Sequence, residues 1–310
     1  MRKLAFIFPG QGAQKVGMGF ELFQTYPIAR ATFDEADATL NRSLSQLCFE
    51  GPAATLKQTE NTQLAMLVCS IAGLRVLSES GISPSVVAGH SLGEYSALVA
   101  ANVLAFSDAL KLVKYRAEFM AEASQQQAST MAAVLGLETE VLQALCEKEQ
   151  AEGIVSIANY NCPGQLIISG ETGPVEAVIE QAKGAGAKRC LPLPVSGAFH
   201  SQLMAPARER LQTVIDDFVF HPTQTKFVAN VTGDFVQNVD EIPQLLTKQV
   251  TSPVQWENSI RTIGDKGISH FVEIGPGQVL SGMVRRIFTH ATCLNVADAE
   301  SLEKTISVIT

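Results

Sequence analysis

One segment constrains this chain more than any other: Val86-Val87-Ala88-Gly89-His90-Ser91-Leu92-Gly93-Glu94-Tyr95-Ser96-Ala97-Leu98. A short β-branched run enters it and a helix-forming run leaves it. Between them, Gly89, Ser91 and Gly93 have the G-x-S-x-G spacing of a nucleophile elbow. A serine at a tight strand-to-helix turn has its hydroxyl pushed out into the open. Small residues two before and two after let the backbone double back without clashing. The following helix aims its free N–H groups and positive dipole end at the serine, and the Leu92 N–H is placed to donate to an oxyanion. A chemically idle glycine turn would satisfy the same pattern. The strand before, the helix after and the histidine inside the motif favour the elbow.

Composition narrows the class. The chain has 310 residues, 46% hydrophobic and 17% charged, enough to bury a large core in one big domain or two smaller ones. A net charge of -8 argues against a general nucleic-acid binder, and 6% aromatic content argues against base-stacking platforms. The six cysteines, Cys48, Cys69, Cys146, Cys162, Cys190 and Cys293, form no C-x-x-C pair. They read as free thiols in a reducing compartment, with neither a disulfide frame nor a metal site. The start, Met1-Arg2-Lys3-Leu4-Ala5-Phe6-Ile7-Phe8-Pro9-Gly10, imitates a signal peptide, but its apolar run is too short and stops at Pro9-Gly10. No apolar run reads as a bilayer span. The expected location is cytoplasmic, with no membrane and no nucleic-acid partner.

Along the chain, Leu4–Phe8 reads as a central strand covered on both faces. It ends in the loop Pro9-Gly10-Gln11-Gly12-Ala13-Gln14, where open α/β sheets keep their ligands. Helices are expected over Gly17–Thr25, Ile28–Leu40 and Gln63–Ser78. After the elbow helix, Ser107-Asp108 is expected to cap another. A Gln/Ala/Ser-rich crossover at 124–129 then leads into a compact pattern. Strands are expected at Thr130–Leu137, Ile154–Asn159, Gln165–Ser169 and Lys188–Val195, with helices at Glu138–Ala151 and Gly173–Gly184. That order is β-α-β-β-α-β, the split ferredoxin-like unit. The expected architecture is α/β: a large hydrolase-like domain with a parallel sheet (1–124 and 197–310) and a small inserted ferredoxin-like domain (125–196). Beyond it, helices are expected at Met204–Phe218, Pro243–Gln249, Val254–Gly264 and Val279–Phe288. The remaining strands are Phe227–Val231, His270–Ile274 and Cys293–Val296.

Two residues stand out. At 100° per residue, with Leu112 at the origin, Arg116 falls at about 40°, inside a stripe shared with Phe119, Met120 and Val113. Lys114, Glu118 and Glu122 take the solvated side. A guanidinium on an apolar stripe is costly unless an anion meets it. That anion is either a protein carboxylate in an internal salt bridge or the carboxylate or phosphate of a substrate. Ser91 also needs a base. His90 is its neighbour, but adjacent side chains on a turn diverge. His221, His270 and His290 sit beside structural elements. His200, in the small-residue loop Ser196-Gly197-Ala198-Phe199-His200-Ser201, is the best placed, although a histidine in such a loop is often mere polar surface.

These stretches together resemble one family. Phe8-Pro9-Gly10-Gln11-Gly12-Ala13-Gln14, Gly89-His90-Ser91-Leu92-Gly93-Glu94, Tyr115-Arg116-Ala117-Glu118, Ala158-Asn159-Tyr160-Asn161, Gly197-Ala198-Phe199-His200-Ser201, Gln249 ahead of Pro253-Val254-Gln255-Trp256, and Glu273-Ile274-Gly275-Pro276-Gly277 occur in family order over nearly the whole chain. The chain resembles the malonyl-CoA:acyl carrier protein transacylases, an acyltransferase family shared with polyketide synthase acyltransferase domains. The resemblance implies Ser91 as acylated nucleophile and His200 as general base and then acid. It implies the Gln11 and Leu92 N–H groups as oxyanion hole, Arg116 as clamp for the malonyl carboxylate, and the Gln249 carbonyl as orienter of the histidine. Asn159 and His90 would be supporting residues. It further implies malonyl-CoA and acyl carrier protein as partners, a ping-pong route in fatty acid biosynthesis, and neither metal nor cofactor. Phe199 matches a malonyl preference, while the position of Gly197 varies across the family. The chain's length suits a discrete enzyme better than an excised synthase domain. Acyl carrier proteins are acidic, so the resemblance also calls for a local basic patch, for which Lys188-Arg189 and Arg285-Arg286 are candidates.

Readings from other classes remain. A serine hydrolase or thioesterase of the α/β-hydrolase type shares the elbow, but it usually carries an HGGG-type loop and an acid between serine and histidine. Here Gly10-Gln11-Gly12 replaces that loop and no such acid is evident. An acyltransferase serving a polyketide pathway fits the same residues. A non-catalytic carrier-binding scaffold would have no need of Ser91 and His200.

Overall fold

The computed structural model describes residues 3–310. Strand β1 (Leu4–Phe8) is followed by helices α1 (Phe20–Thr25), α2 (Pro27–Leu40), α3 (Leu44–Glu50), α4 (Ala53–Leu56) and α5 (Thr59–Glu79). Then come β2 (Val86–Gly89), α6 (Gly93–Ala100) and α7 (Phe106–Ser124). The next unit is β3 (Ser129–Leu135), α8 (Thr139–Glu149), β4 (Val155–Cys162), β5 (Gln165–Glu171), α9 (Thr172–Gly184) and β6 (Arg189–Pro192). The chain closes with α10 (Ala205–Val214), β7 (Lys226–Val228), α11 (Ile242–Gln249), α12 (Trp256–Asp265), β8 (His270–Ile274), α13 (Val279–Ile287), β9 (Thr292–Val296) and α14 (Ala299–Ile309).

Two sheets carry the architecture. The first is parallel, in the order β7-β2-β1-β8-β9. Its strands are apolar throughout because both faces are covered. Leu4, Phe6 and Phe8 enter one core layer, while Ala5 and Ile7 enter the layer on the other face. The second sheet is antiparallel, in the order β4-β5-β3-β6, with the expected β-α-β-β-α-β connectivity. Period-two alternation again sorts its residues. Ala132, Val134 and Ile168 pack in the core layer that holds α8 and α9, whereas Met131, Ala133 and Ile167 join the core of the parallel sheet.

The loops after β1, β2, β7 and β8 all leave the carboxyl edge of the parallel sheet, the expected ligand edge. Two contacts lock the sheets together there. The Val254 N–H donates to the Ala158 carbonyl and the Tyr160 N–H to the Val254 carbonyl, each at 2.9 Å. Arg286 donates to the Pro163 carbonyl (2.6 Å) and the Gln165 side chain (2.9 Å) in the β4–β5 turn.

Several boundaries differ from the sequence reading. The helix expected from Gly17 starts at Phe20, because Gly17 and Gly19 hold positive φ (91° and 77°). Ser107-Asp108 caps nothing: α7 begins one residue earlier, with Ala105 at the cap position. The strand expected over Lys188–Val195 shrinks to Arg189–Pro192, since Pro192 and Pro194 bring no N–H to a ladder. The helix expected over Met204–Phe218 is α10 flanked by two short 3₁₀ turns. Val254 is drawn into the bridge to β4, so α12 begins at Trp256. The strand expected to Val231 ends at Val228, where the chain turns back. Helices α3, α4 and α14 have no counterpart in the sequence reading. Helix α5, with 21 residues, is long and apolar enough by length and composition to cross a membrane, contrary to the reading that no such run exists. Here it is almost wholly buried inside the molecule.

Candidate active site

Ser91 sits at φ 51°, in the left-handed region. Non-glycine residues rarely hold that conformation, and at functional sites it marks built-in strain. The turn is possible only because its flanks lack side chains. A Cβ on Gly89 would lie 1.9 Å from the Gly93 carbonyl carbon, and one on Gly93 would lie 2.0 Å from the Phe8 carbonyl oxygen. β1, the elbow and α6 therefore meet backbone to backbone.

The elbow is held by a residue that the sequence reading misses. The Ser91 N–H donates to Asn230 Oδ1, and Asn230 Nδ2 donates to the Gly89 carbonyl, both at 2.6 Å. The signal available is position: Asn230 follows the carboxyl end of a parallel strand, beside the elbow.

Ser91 Oγ lies 2.8 Å from His200 Nε2, and His200 Nδ1 lies 2.8 Å from the Gln249 carbonyl oxygen. A carbonyl only accepts, so Nδ1 carries the proton and Nε2 offers its lone pair to the serine hydroxyl. Burial, and next the nearby Arg116 charge, hold the His200 pKa down to about 3. The imidazole is therefore neutral at neutral pH and able to accept a proton.

Arg116 is 1% exposed on α7. Its Nη1 donates to Gln63 Oε1, and its Nη2 to Gln249 Oε1 (2.8 Å) and to Ser91 Oγ (3.2 Å). Its Nε has no partner among the described residues, and none of the ion pairs there involves it. The carboxylate that feels its charge is Glu94, reached through the Gln249 carboxamide: Gln249 Nε2 donates to Glu94 Oε2 and to the Ser91 carbonyl (2.9 Å). Burial pushes the Glu94 carboxyl up to about 7, against the pull of the Asn230 N–H, Gln249 and Arg116. Arg116 itself is lowered, chiefly by burial.

Ser91, His200, Arg116 and Gln63 line a cavity of about 260 Å³. Ser91, His200, Arg116, Gln11 and Leu92 form its polar end, and the N–H groups of Gln11 and Leu92 donate to no acceptor among the described residues. Asn159 also reaches the cavity wall. His90 turns away from Ser91, with Nε2 2.9 Å from Asn161 Oδ1 and its ring edge on Trp256; burial lowers its pKa. Gln249 itself is fully buried behind the cavity. The outer wall is apolar, drawn from the antiparallel sheet, the segment after it and α13: Met131, Ile167, Leu193, Phe199, Val279 and Met283. Gln63 and Glu94 carry no role in the sequence reading. Carboxamides and a carboxylate inside helices give no periodic signal of their own.

Such a site suits acyl transfer, and the comparisons agree. Residues 5–306 match the acyl transferase domain family. This chain belongs to the acyl transferases. It is 47% identical over 310 residues to the malonyl CoA-acyl carrier protein transacylase of Bacillus subtilis (strain 168), covering 100% of this chain and 98% of that one. Its fold matches a malonyl-transacylase solved in complex with a type II PKS acyl-carrier protein, with TM-score 0.96, 39% identity and 99% of each chain covered. It also matches the malonyl CoA-acyl carrier protein transacylase from Clostridium perfringens, with TM-score 0.96, 40% identity, and 99% and 97% of the two chains covered. This acyl transferase pairs a parallel sheet with a smaller antiparallel one.

Proposed function

We propose that this acyl transferase moves a malonyl group from malonyl-CoA to the phosphopantetheine thiol of an acyl carrier protein, through a seryl ester on Ser91, in fatty acid biosynthesis. The observation that carries the reading is a buried guanidinium, free of any protein ion pair among the described residues, touching the hydroxyl that also faces a neutral histidine. In the first half-reaction Ser91 Oγ attacks the thioester carbonyl while its proton passes to His200 Nε2. The oxyanion is met by the Gln11 and Leu92 N–H groups, a contribution of about 2.7–4 kcal/mol per donor in comparable holes. The intermediate collapses, the C–S bond breaks, and His200 returns the proton to the departing CoA sulfur. In the second half the carrier's thiol gives its proton to His200, attacks the ester, and Ser91 leaves with that proton.

Arg116 would take the malonyl carboxylate. Burial is the larger cause of the low His200 pKa, and seating an anion at Arg116 offsets the second cause, the Arg116 charge. The apolar outer wall suits the pantetheine arm, and the reaction as written draws on no metal or organic cofactor. We read residues 125–196 as a small domain inserted into a large one (1–124 and 197–310), since β3 to β6 all fall inside that range. A cytoplasmic location fits the six free cysteines and the interior placement of α5.

The test is intact-mass spectrometry after adding malonyl-CoA. One malonyl adduct is expected, lost in Ser91→Ala and discharged by carrier thiol faster than by water. An adduct that survives in Ser91→Ala overturns the assignment, and discharge only to water favours a hydrolase.

A further inference from the structure

We propose that Glu94 is a positioning residue that holds Ser91, His200 and Arg116 in register through the Asn230 backbone N–H and the Gln249 carboxamide. The inference rests on the acyl-transfer reading for its consequence, but its geometry stands alone. Glu94 is 1% exposed on the first turn of α6 and forms no ion pair among the described residues. A carboxylate in that place is costly unless N–H groups surround it. Its Oε1 accepts the Asn230 N–H at 2.9 Å, and its Oε2 accepts from Gln249 Nε2.

Each of these two residues grips the reacting groups. Asn230 brackets the strained elbow, accepting from the Ser91 N–H and donating to the Gly89 carbonyl. Gln249 does three things. Its side-chain Nε2 donates to the Ser91 carbonyl, its Oε1 accepts from Arg116, and its backbone carbonyl accepts from His200 Nδ1. One carboxylate thus fixes which way the Gln249 carboxamide faces and anchors the backbone from which the Asn230 carboxamide reaches the elbow. Arginine can only donate, so Gln249 must turn Oε1 to Arg116 and Nε2 to Glu94. Glutamine at position 94 would break that logic. Both of its neighbours are donors, and an amide accepts with one atom only. The conflict is relieved by turning the Gln249 carboxamide over, which sets its NH₂ against the guanidinium and strips the bond to Ser91.

The test uses the full chain and the isosteric variant Glu94→Gln. A fluorophosphonate probe reads the Ser91–His200 alignment whatever acyl group the enzyme prefers. Labelling is expected to slow by roughly 10- to 100-fold, with a cooperative thermal transition retained. Acylation by malonyl-CoA is expected to fall further than acylation by acetyl-CoA, because the Arg116 clamp is disturbed as well. A merely structural role lowers every rate in proportion to the folded fraction and leaves the malonyl-to-acetyl ratio alone. A folded Glu94→Gln variant labelled at the wild-type rate, or with that ratio unchanged, overturns the proposal. If Glu94→Gln does not fold, Glu94→Asp, which keeps the charge but draws it back by one methylene, is read by the same two outcomes. Wild type labelled by the probe but never acylated by malonyl-CoA would sink the malonyl reading, not the role of Glu94.

Discussion

Arg116 shows how far a single residue can be read. The helical pattern places its charge on an apolar face, leaving two possible anions, one internal and one from a substrate. None of the ion pairs among the described residues involves Arg116. The guanidinium donates to carboxamides and the Ser91 hydroxyl and lies over the Tyr95 ring, its Nε is unpartnered among the described residues, and Glu94 lies beyond the Gln249 amide. A planar fork so placed can take both oxygens of a carboxylate, whereas an acetyl group leaves the cation desolvated and unmet. Arg116→Ala is therefore expected to cut malonyl transfer by roughly 2–5 kcal/mol in apparent barrier. Acetyl transfer is expected to hold or rise, since the uncompensated charge is gone. The ratio of the two transfers, measured in wild type and variant, decides: an equal fall in both makes Arg116 a structural member only. Ser91, His200 and Arg116 are legible because a nucleophile, a base and a buried cation are each chemically conspicuous. The Gln249 carbonyl is reached through family resemblance alone. Asn230 and Gln63 are not legible, because an amide that fixes another group's direction looks in sequence like any polar residue.

At the scale of elements, the elbow is where the pattern is most informative, since the spacing of Gly89 and Gly93 has a steric reason. A methyl on Gly89 would sit 1.9 Å from the backbone of Gly93, so β2 and α6 would have to separate. Gly89→Ala is expected to destabilise by about 3 kcal/mol or more and to abolish fluorophosphonate labelling of Ser91 in whatever fraction still folds. Gly173→Ala is the control. It lies in α9, where an added methyl would meet nothing within 4 Å and φ is not positive. It is expected to be neutral or stabilising by up to about 1 kcal/mol. Urea unfolding of the two variants checks both, and similar losses would mean the elbow tolerates a side chain. The central strands are equally plain as continuous apolar runs. Ends and short pieces are the parts that sequence does not give. α3 and α4 are too short to show a period, and Ser107 has the chemistry of a cap where Ala105 holds the place. β7 stops early because the Asn230 N–H goes to Glu94 instead of a neighbouring strand. Such ends are decided by tertiary partners, which local propensity does not contain.

On the scale of the whole molecule, the cavity exists only because the two sheets are held at a fixed distance. Met131 and Ile167 come from the small sheet, Ser91 and Leu92 from the elbow that follows β2 of the large one, and Val279 and Met283 from α13. The lock between them includes Arg286, which the sequence offers as part of a basic patch for the carrier. Its guanidinium is instead engaged with the β4–β5 turn, and Arg285 reaches the Cys293 carbonyl at 3.3 Å. Lys188 and Arg189 differ. All four are exposed, but Lys188 and Arg189 make no side-chain hydrogen bond or ion pair among the described residues, and the chain running on from them supplies Leu193 and Val195 to the cavity wall. On a chain with net charge -8, an acidic carrier needs such a local cationic approach, and its benefit is mainly to association rate. The two pairs should therefore separate the half-reactions. Lys188→Glu with Arg189→Glu is expected to slow transfer to the carrier and to weaken its dependence on ionic strength, with Ser91 acylation by malonyl-CoA unchanged. Arg286→Glu is expected to slow both half-reactions, because the cavity wall loses its anchor. Single-turnover acylation and carrier transfer, measured over a range of salt, distinguish them. If reversal at Lys188 and Arg189 slows both half-reactions alike, those residues act on the shape of the cavity, and the carrier approaches by another face.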